Sequence, residues 1–218
     1  MNGADDVDVL QSAILSEVFH DLSQPLTALE CNLELSLRCD QTVADFVDRV
    51  QTALETVERL RQRMLLVHAL NHAGDSGEIT DTVDLNEIVR ELHSDMLPVF
   101  EAGHRSLALE TLSAVATVRV PRSKLTQALF YFVEYLLRYS SEKSMTKIQV
   151  DMTEPGTAAL RIVSESSLPL TLLGDNCVEP YACEVELARR TFRALRGDFQ
   201  FVSAGTCHNV WLATLPLA

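Results

Sequence analysis

The sequence predicts an α+β protein in two parts. An antiparallel helical hairpin, closing into a four-helix bundle on dimerisation, is followed by an α/β sandwich. Three observations predict this. Apolar residues in the first seventy or so positions recur at heptad spacing, a polar glycine-bearing stretch follows, and beyond it helical periodicity alternates with the two-residue period of strands.

The elements follow in order. Leu15, Phe19, Leu22, Leu26, Leu29 and Leu33 are spaced four, three, four, three, four, the seam of a coiled coil or bundle. After a break at Cys39–Gln41, a second series runs Val43, Val47, Val50, Leu54, Val57, then shifts phase through Leu60, Met64 and Val67. The intervening turn is short enough to force an antiparallel hairpin. Two such helices cannot cover a two-sided seam alone, so a second copy is expected to complete the bundle. "NHAGDSGEITDT" (71–82) is a polar linker that divides the chain into domains 1–74 and 75–218. "VDLNEIVRELHSDMLPVFEAG" then reads as a helix starting near Asp84. "SLALETL" and "ATVRV" alternate like short strands, and "RSKLTQALFYFVEYLLRYSS" is a strongly apolar helix. "TKIQVDMT" and "AALRIVSE" form a hairpin about "TEPGTA". An irregular stretch, 165–181, precedes a helix, "CEVELARRTFRALRG", and two strands, "DFQFVS" and "NVWLATLPL".

Composition narrows the function classes. The 218 residues carry a formal net charge of −13, which disfavours nucleic acid and anionic membrane surfaces as partners. The first eight residues are polar and acidic rather than signal-like, and no apolar run reaches the roughly 18 residues that span a bilayer. The five cysteines (31, 39, 177, 183 and 207) lack zinc-like spacing and read as reduced, buried thiols of a cytoplasmic protein.

The polar cluster with chemistry lies in the first helix, in "VFHDLSQPLTALECNLEL". His20 falls just outside the seam, with Asp21 and Gln24 on the same outward arc. His20 and Gln24 are four apart and therefore neighbours on one face. An exposed imidazole beside a carboxylate can capture a phosphoryl group: the acid orients one ring nitrogen and leaves the other as nucleophile. Gln24 can hydrogen-bond a water or a phosphoryl oxygen arriving there. Pro25 would cost an ordinary helix about 3 kcal/mol. Here it frees the Asp21 carbonyl and is expected to bend the helix one turn past the histidine.

"FHDLSQPLTAL" resembles the H-box of sensor histidine kinases, which opens their dimerisation and phosphotransfer hairpin. "VDLNEIVRELHSDMLPVFEAG" resembles the segment joining that hairpin to the ATP-binding domain, and "SKLTQALFYFVEYLL" the helix carrying the N-box. "VELARRTFRALRGDFQFVSAGTCHNVWLATLPL" resembles the closing helix and strands. The resemblance implies His20 as phosphoacceptor, Asp21 as its acid–base partner and Gln24 as a residue of phosphatase chemistry.

The departures change what the resemblance implies. Tyr131 and Tyr135 stand where the family has asparagines that hold the magnesium bridging ATP phosphates, and a hard cation prefers compact oxygen donors. Ser164 and Glu165 replace an aspartate followed by glycines. Ala182 and Glu184 stand at expected glycines before the last helix, and Glu184 adds negative charge where a triphosphate would lie. The second domain therefore reads as a degenerate histidine kinase-like ATPase domain with no ATP or Mg²⁺ site of its own. The combination resembles bacterial dimeric histidine phosphotransferases, which pass phosphate between receiver-domain aspartates in a phosphorelay. The implied partners are response-regulator receivers, which bring their own Mg²⁺. A non-catalytic pseudokinase adaptor and an ATP-dependent sensor kinase with a divergent pocket are the alternatives.

Other features have plainer assignments. His68 and His72 read as solvated residues near a helix end rather than metal ligands. Phe130, Tyr131, Phe132 and Tyr135 read as core. "ERLRQR" (58–63) reads as a solvated face with local ion pairs that could also meet an acidic receiver, and Cys31 as packing.

Overall fold

The computed structural model describes the backbone of residues 3–38, 42–75, 82–112, 114–165, 170–173, 177–180, 182–204 and 208–218. The chain falls into two compact units, Met1–Asn71 and His72–Ala218.

The first unit is built on two long helices, α1 (Gly3–Arg38) and α2 (Val43–His72). α2 starts at a reciprocal cap. The Thr42 hydroxyl accepts from the Asp45 backbone N–H at 3.2 Å, while the Asp45 carboxylate accepts from the Thr42 N–H and hydroxyl. Those Thr42 hydrogen bonds hold the Asp45 carboxyl below its ordinary range. The heptad series divides into two faces. Leu22 and Leu29 are half-buried, whereas Phe19, Leu26 and Leu33 are 66%, 52% and 48% exposed. On α2 the inward row is Arg49, Ala53, Thr56, Leu60, Arg63 and Val67. Met64, expected in that seam, is 64% exposed, and half-buried Arg63 holds the inward position instead. The side chains of Leu15 and Asp21 lie outside the described residues.

The second unit is an α+β sandwich. Its main elements are α3 (Leu85–Ala102), β2 (Ser106–Glu110), α4 (Arg122–Arg138), β4 (Met145–Glu154), β5 (Thr157–Ser164), α5 (Cys183–Ala194), β8 (Asp198–Ala204) and β9 (His208–Pro216). The five strands lie in the order β2-β4-β5-β9-β8, with β2 parallel to β4 and every other pair antiparallel. Alternate residues along the strands, such as Ile148 and Val150, Ala158, Leu160 and Ile162, and Trp211, Ala213 and Leu215, enter one core with α3, α4 and α5. The helices thus cover one sheet face, and Gln149 and Arg161 mark the other. Trp211 is fully buried, with Phe132 edge-on at 5.0 Å and Phe199 stacked at 5.4 Å between ring centres.

Local chemistry sets the boundaries. α3 starts where expected: the Asp84 carboxylate accepts from the Asn86 backbone N–H at 3.0 Å, from the Asn86 side-chain amide, and from Ala116 N–H at 3.2 Å. Because it also ties the helix to the 114–116 segment, Asp84→Ala should cost about 2 kcal/mol in denaturant unfolding followed by Trp211 fluorescence. The β4–β5 turn runs through Gly156 at φ +91°, as the "TEPGTA" break predicts. Gly197 separates α5 from β8, where a Cβ would overlap the Thr214 carbonyl.

"ATVRV" gives the short strand expected, β3 (Thr117–Arg119), which pairs with β1 (Thr82–Asp84) in a separate two-stranded sheet. One expectation is corrected. The stretch expected to be irregular, 165–181, contains β6 (Leu170–Leu173) and β7 (Cys177–Pro180), paired antiparallel. Serines, a glycine and an asparagine around four-residue runs hid that hairpin, since two short strands give little periodicity.

Candidate functional site

α1 runs through Pro25 without a break, so the proline acts locally by withholding one N–H from the Asp21 carbonyl. His20 and Gln24 are both exposed, and the side-chain amide nitrogen of Gln24 lies 3.2 Å from Nε2 of His20. An amide nitrogen only donates, so Nε2 accepts, and a neutral ring in this arrangement carries its proton on Nδ1. The ring lone pair thus sits at Nε2, under the amide of Gln24. Sequence spacing places these two together correctly. Asp21, the third member, has its backbone in α1, with its side chain outside the described residues.

On the far side of Gln24 the two helices share a groove of about 350 Å³ lined by Gln24, Pro25, Ala28, Arg59 and Arg63. Arg59 donates to the Thr56 hydroxyl at 3.1 Å. Arg61, between them in sequence, instead forks onto Glu58 with two 2.9 Å bonds, and Gln62 adds a third at 2.8 Å. These Arg61 and Gln62 hydrogen bonds push the exposed Glu58 carboxyl down to about 2. The "ERLRQR" run is therefore a solvated, ion-paired face only at Glu58, Arg61 and Gln62. Arg59 and Arg63 turn towards α1, which the sequence analysis missed. The signal was present: Arg63 stands three after Leu60 and four before Val67, a seam position.

In the second unit, each position that departs from the kinase pattern is taken up internally. Tyr135 is fully buried, with its ring 6.4 Å from Phe132 and 5.0 Å from Tyr139. Tyr131 is buried, and burial followed by nearby Glu134 pushes its phenol above the ordinary range. Glu184, whose side chain is 3% exposed, pairs with Arg138 at 3.1 Å across α4 and α5. Glu186, also buried in the first turn of α5, accepts from Arg190 at 2.7 Å and faces Arg189 at 3.5 Å. That helix start, an anion site in its bare form, thus holds two carboxylates of the chain itself. Ser164 is buried with its hydroxyl 3.2 Å from that of Thr146, and Glu165 accepts from the Met145 N–H.

The plainer assignments divide. Tyr131, Phe132 and Tyr135 are core, but Phe130 is 41% exposed and lines a groove of about 630 Å³ with Glu91, Arg122 and Tyr131. His68 and His72 are exposed, His72 meets Asp75 at 3.0 Å, and no metal-binding cluster occurs among the described residues. Cys183 is buried as expected, but Cys31 is exposed rather than packed. Cys39, Cys207 and the Cys177 side chain lie outside the described residues. Among the described residues no helix is long and apolar enough to cross a membrane.

No family model and no curated protein matches the sequence. Among solved structures, the chain is similar to the Acinetobacter baumannii histidine kinase AdeS, at 17% identity and a TM-score of 0.71, over 91% of this chain and 98% of that one. It is similar to histidine kinase ThkA in complex with response regulator protein TrrA, at 13% identity and a TM-score of 0.69, over 99% of this chain and 64% of that one. Full-length ShkA in complex with AMPPNP matches at 13% identity and a TM-score of 0.64, over 100% of this chain and 46% of that one. The fold is therefore of the histidine kinase type: a helical hairpin followed by an ATPase-like α/β domain.

Proposed function

We propose that this chain is a dimeric histidine phosphotransfer protein of a two-component phosphorelay, passing phosphate between receiver aspartates through His20 without binding ATP. The observation that carries the reading is Glu184. Its buried carboxylate, paired with Arg138, stands at the start of α5 where a bound triphosphate would bring up to four negative charges. Tyr131 and Tyr135 fill the neighbouring positions with phenol rings rather than compact oxygen donors. The phosphoryl group then has to come from outside, and His20 is exposed to take it.

Each transfer balances without a further reagent. The Nε2 lone pair of His20 attacks the phosphorus of a receiver's acyl phosphate; the N–P bond forms as the P–O bond breaks, and the receiver's carboxylate leaves with that electron pair. The ring proton stays on Nδ1, where the carboxylate of Asp21 is the proposed partner. Return to a second receiver is the same step reversed. The receiver brings the Mg²⁺ that neutralises the phosphoryl oxygens. ThkA was solved with a response regulator, which supports a receiver as partner here.

The open apolar face of the hairpin suits a second copy. Leu26 and its neighbours Phe19 and Leu33 would close against the partner's helices. Each buried leucine contributes about 2 kcal/mol, and two-fold symmetry counts it twice. Leu26→Asp should therefore weaken dimerisation by about a thousandfold in analytical ultracentrifugation.

Two measurements test the reading. Titration with Mg·ATP in a calorimeter should give no binding up to about 1 mM, a concentration equivalent to roughly 4 kcal/mol. Micromolar affinity would restore the sensor-kinase alternative. Incubation with phosphorylated receivers should label wild type at His20. Equal, background labelling of wild type and His20→Ala would leave a non-catalytic adaptor.

A further inference from the structure

We infer that the outer edge of β8 is a docking strand for an extended, acidic segment of a partner protein, which joins the sheet beside β8 and sets its carboxylates on Arg193 and Arg196. Such docking does not depend on phosphotransfer through His20.

The edge is unguarded. β8 closes one end of the five-stranded sheet, and among the described residues no strand lies beyond it. Alternate backbone N–H and C=O groups along it therefore point out of the sheet. Its seven residues, Asp198–Ala204, pair with β9 in unbroken register, without the bulge, proline or lysine that blunts an edge. The opposite edge, β2, is shorter and ends in Glu110, which pairs with Lys147 at 2.6 Å. β8 also leaves apolar surface open. The Phe201 ring lies 4.8 Å from that of Trp211 yet is only half-buried, and Val202, on the other face, is 43% exposed. A strand laid alongside covers part of both.

Charge selects the occupant. The helices lie in the order α3, α4, α5: Arg122 of α4 pairs with Glu87 and Glu91 of α3, and Arg138 of α4 with Glu184 of α5. α5 in turn packs on β8, its Phe192 ring stacked on Phe199 at 5.5 Å. Arg193 stands nine positions after Glu184, about two and a half turns, and so on the flank of α5 that faces away from α4. That flank is the one beside the open edge. Arg193 and Arg196, the latter just before the strand, are exposed and have no carboxylate partner among the described residues. Their neighbours Arg189 and Arg190 are instead drawn to Glu186. Asp198, the one acid of the strand, accepts from the Phe199 N–H at 2.9 Å and from the Gln200 amide. Two guanidinium groups beside an open row of backbone donors and acceptors suit a strand that carries carboxylates. A second copy suits the edge less well. The hairpin already supplies one two-fold interface in the proposed dimer, and another through β8 would propagate an open chain of dimers.

The test uses the full-length chain and three fluorescein-labelled peptides of about ten residues. One alternates glutamate and valine, one alternates lysine and valine, and the third is the glutamate–valine sequence with an N-methylated backbone. In fluorescence anisotropy the glutamate–valine peptide should bind with a Kd of about 100 μM or tighter, and at least about tenfold more tightly than either other peptide. Its binding should slow hydrogen exchange at the amides of β8. Arg193→Glu combined with Arg196→Glu should weaken it at least about tenfold. Should that variant misfold by Trp211 fluorescence, the glutamate and lysine peptides on wild type still decide. Equal binding of those two, or binding of neither up to about 1 mM, overturns the proposal. Affinity that survives N-methylation, or protection that falls elsewhere than β8, overturns strand addition and with it the docking edge. Growth of wild type into higher oligomers, with β8 amides protected before any peptide is added, gives the edge to a second copy and overturns the acidic partner.

Discussion

His20→Ala should abolish phosphoryl capture. Wild-type chain incubated with a phosphorylated receiver should accumulate acid-labile, alkali-stable phosphate, and the variant should fall to background, a loss of at least about a hundredfold. Two other histidines are engaged differently: His72 meets the Asp75 carboxylate at 3.0 Å, and His93 hydrogen-bonds the Leu107 carbonyl at 3.1 Å. Gln24→Ala separates two roles that the geometry combines. Its amide donates to Nε2, so it partly masks the nucleophile at rest and supplies a donor near the phosphoryl oxygens once the N–P bond has formed. Removing it should change the phosphohistidine lifetime by about tenfold or less while leaving labelling at His20 intact. Quantified phosphohistidine decay distinguishes this from loss of the site, because a damaged site would show no decay to follow.

The parts legible in the sequence were those written in a strong local code. Asp84 begins α3 because a short acceptor side chain before an apolar series is a helix start wherever it falls. The "EPG" break between two alternating runs gave the β4–β5 hairpin because glycine reaches the φ its turn needs. The His20–Gln24 pair followed from helical spacing alone. What was not legible depended on which face of an element meets a partner. Heptad counting placed Met64 in the hairpin seam, but the structure turns Arg63 inward, because the phase of α2 shifts after Val57 and two assignments fit the apolar pattern equally well. The arginine groove follows from that phase and was lost with it. Cys31 was assigned to packing by its neighbours in sequence, yet it lies on the side of α1 that the single chain leaves open. The substitutions in the second unit were readable as departures; that Glu184 would find a cation in Arg138, one element away, was not, since nothing in the sequence pairs residues 46 positions apart.

That pair gives the other large expected effect. Arg138→Met should destabilise the second unit by about 3 kcal/mol, because Glu184, 3% exposed, would keep a buried carboxylate without its cation. The figure is set at the low end for broken buried pairs, since the Arg138 side chain is 37% exposed and the start of α5 itself favours a carboxylate there. Trp211, the single tryptophan and fully buried in this unit's core, reports the transition in denaturant without interference from the hairpin. Adding Glu184→Gln to Arg138→Met should recover most of the loss, because a neutral amide costs far less to bury than a charge. An unchanged midpoint in Arg138→Met would remove Glu184 from the argument against a nucleotide. The complementary variant, Glu184→Gly, restores the residue type a phosphate cradle needs but should still give no Mg·ATP binding, because Tyr131 and Tyr135 remain where compact metal ligands would stand. If that one substitution conferred affinity, the charge of Glu184 alone would be what closes the domain to ATP. Failure of the single change, with binding gained only when both tyrosines also become asparagine, would place the closure in the packed core of α4, where a single reversion cannot undo it.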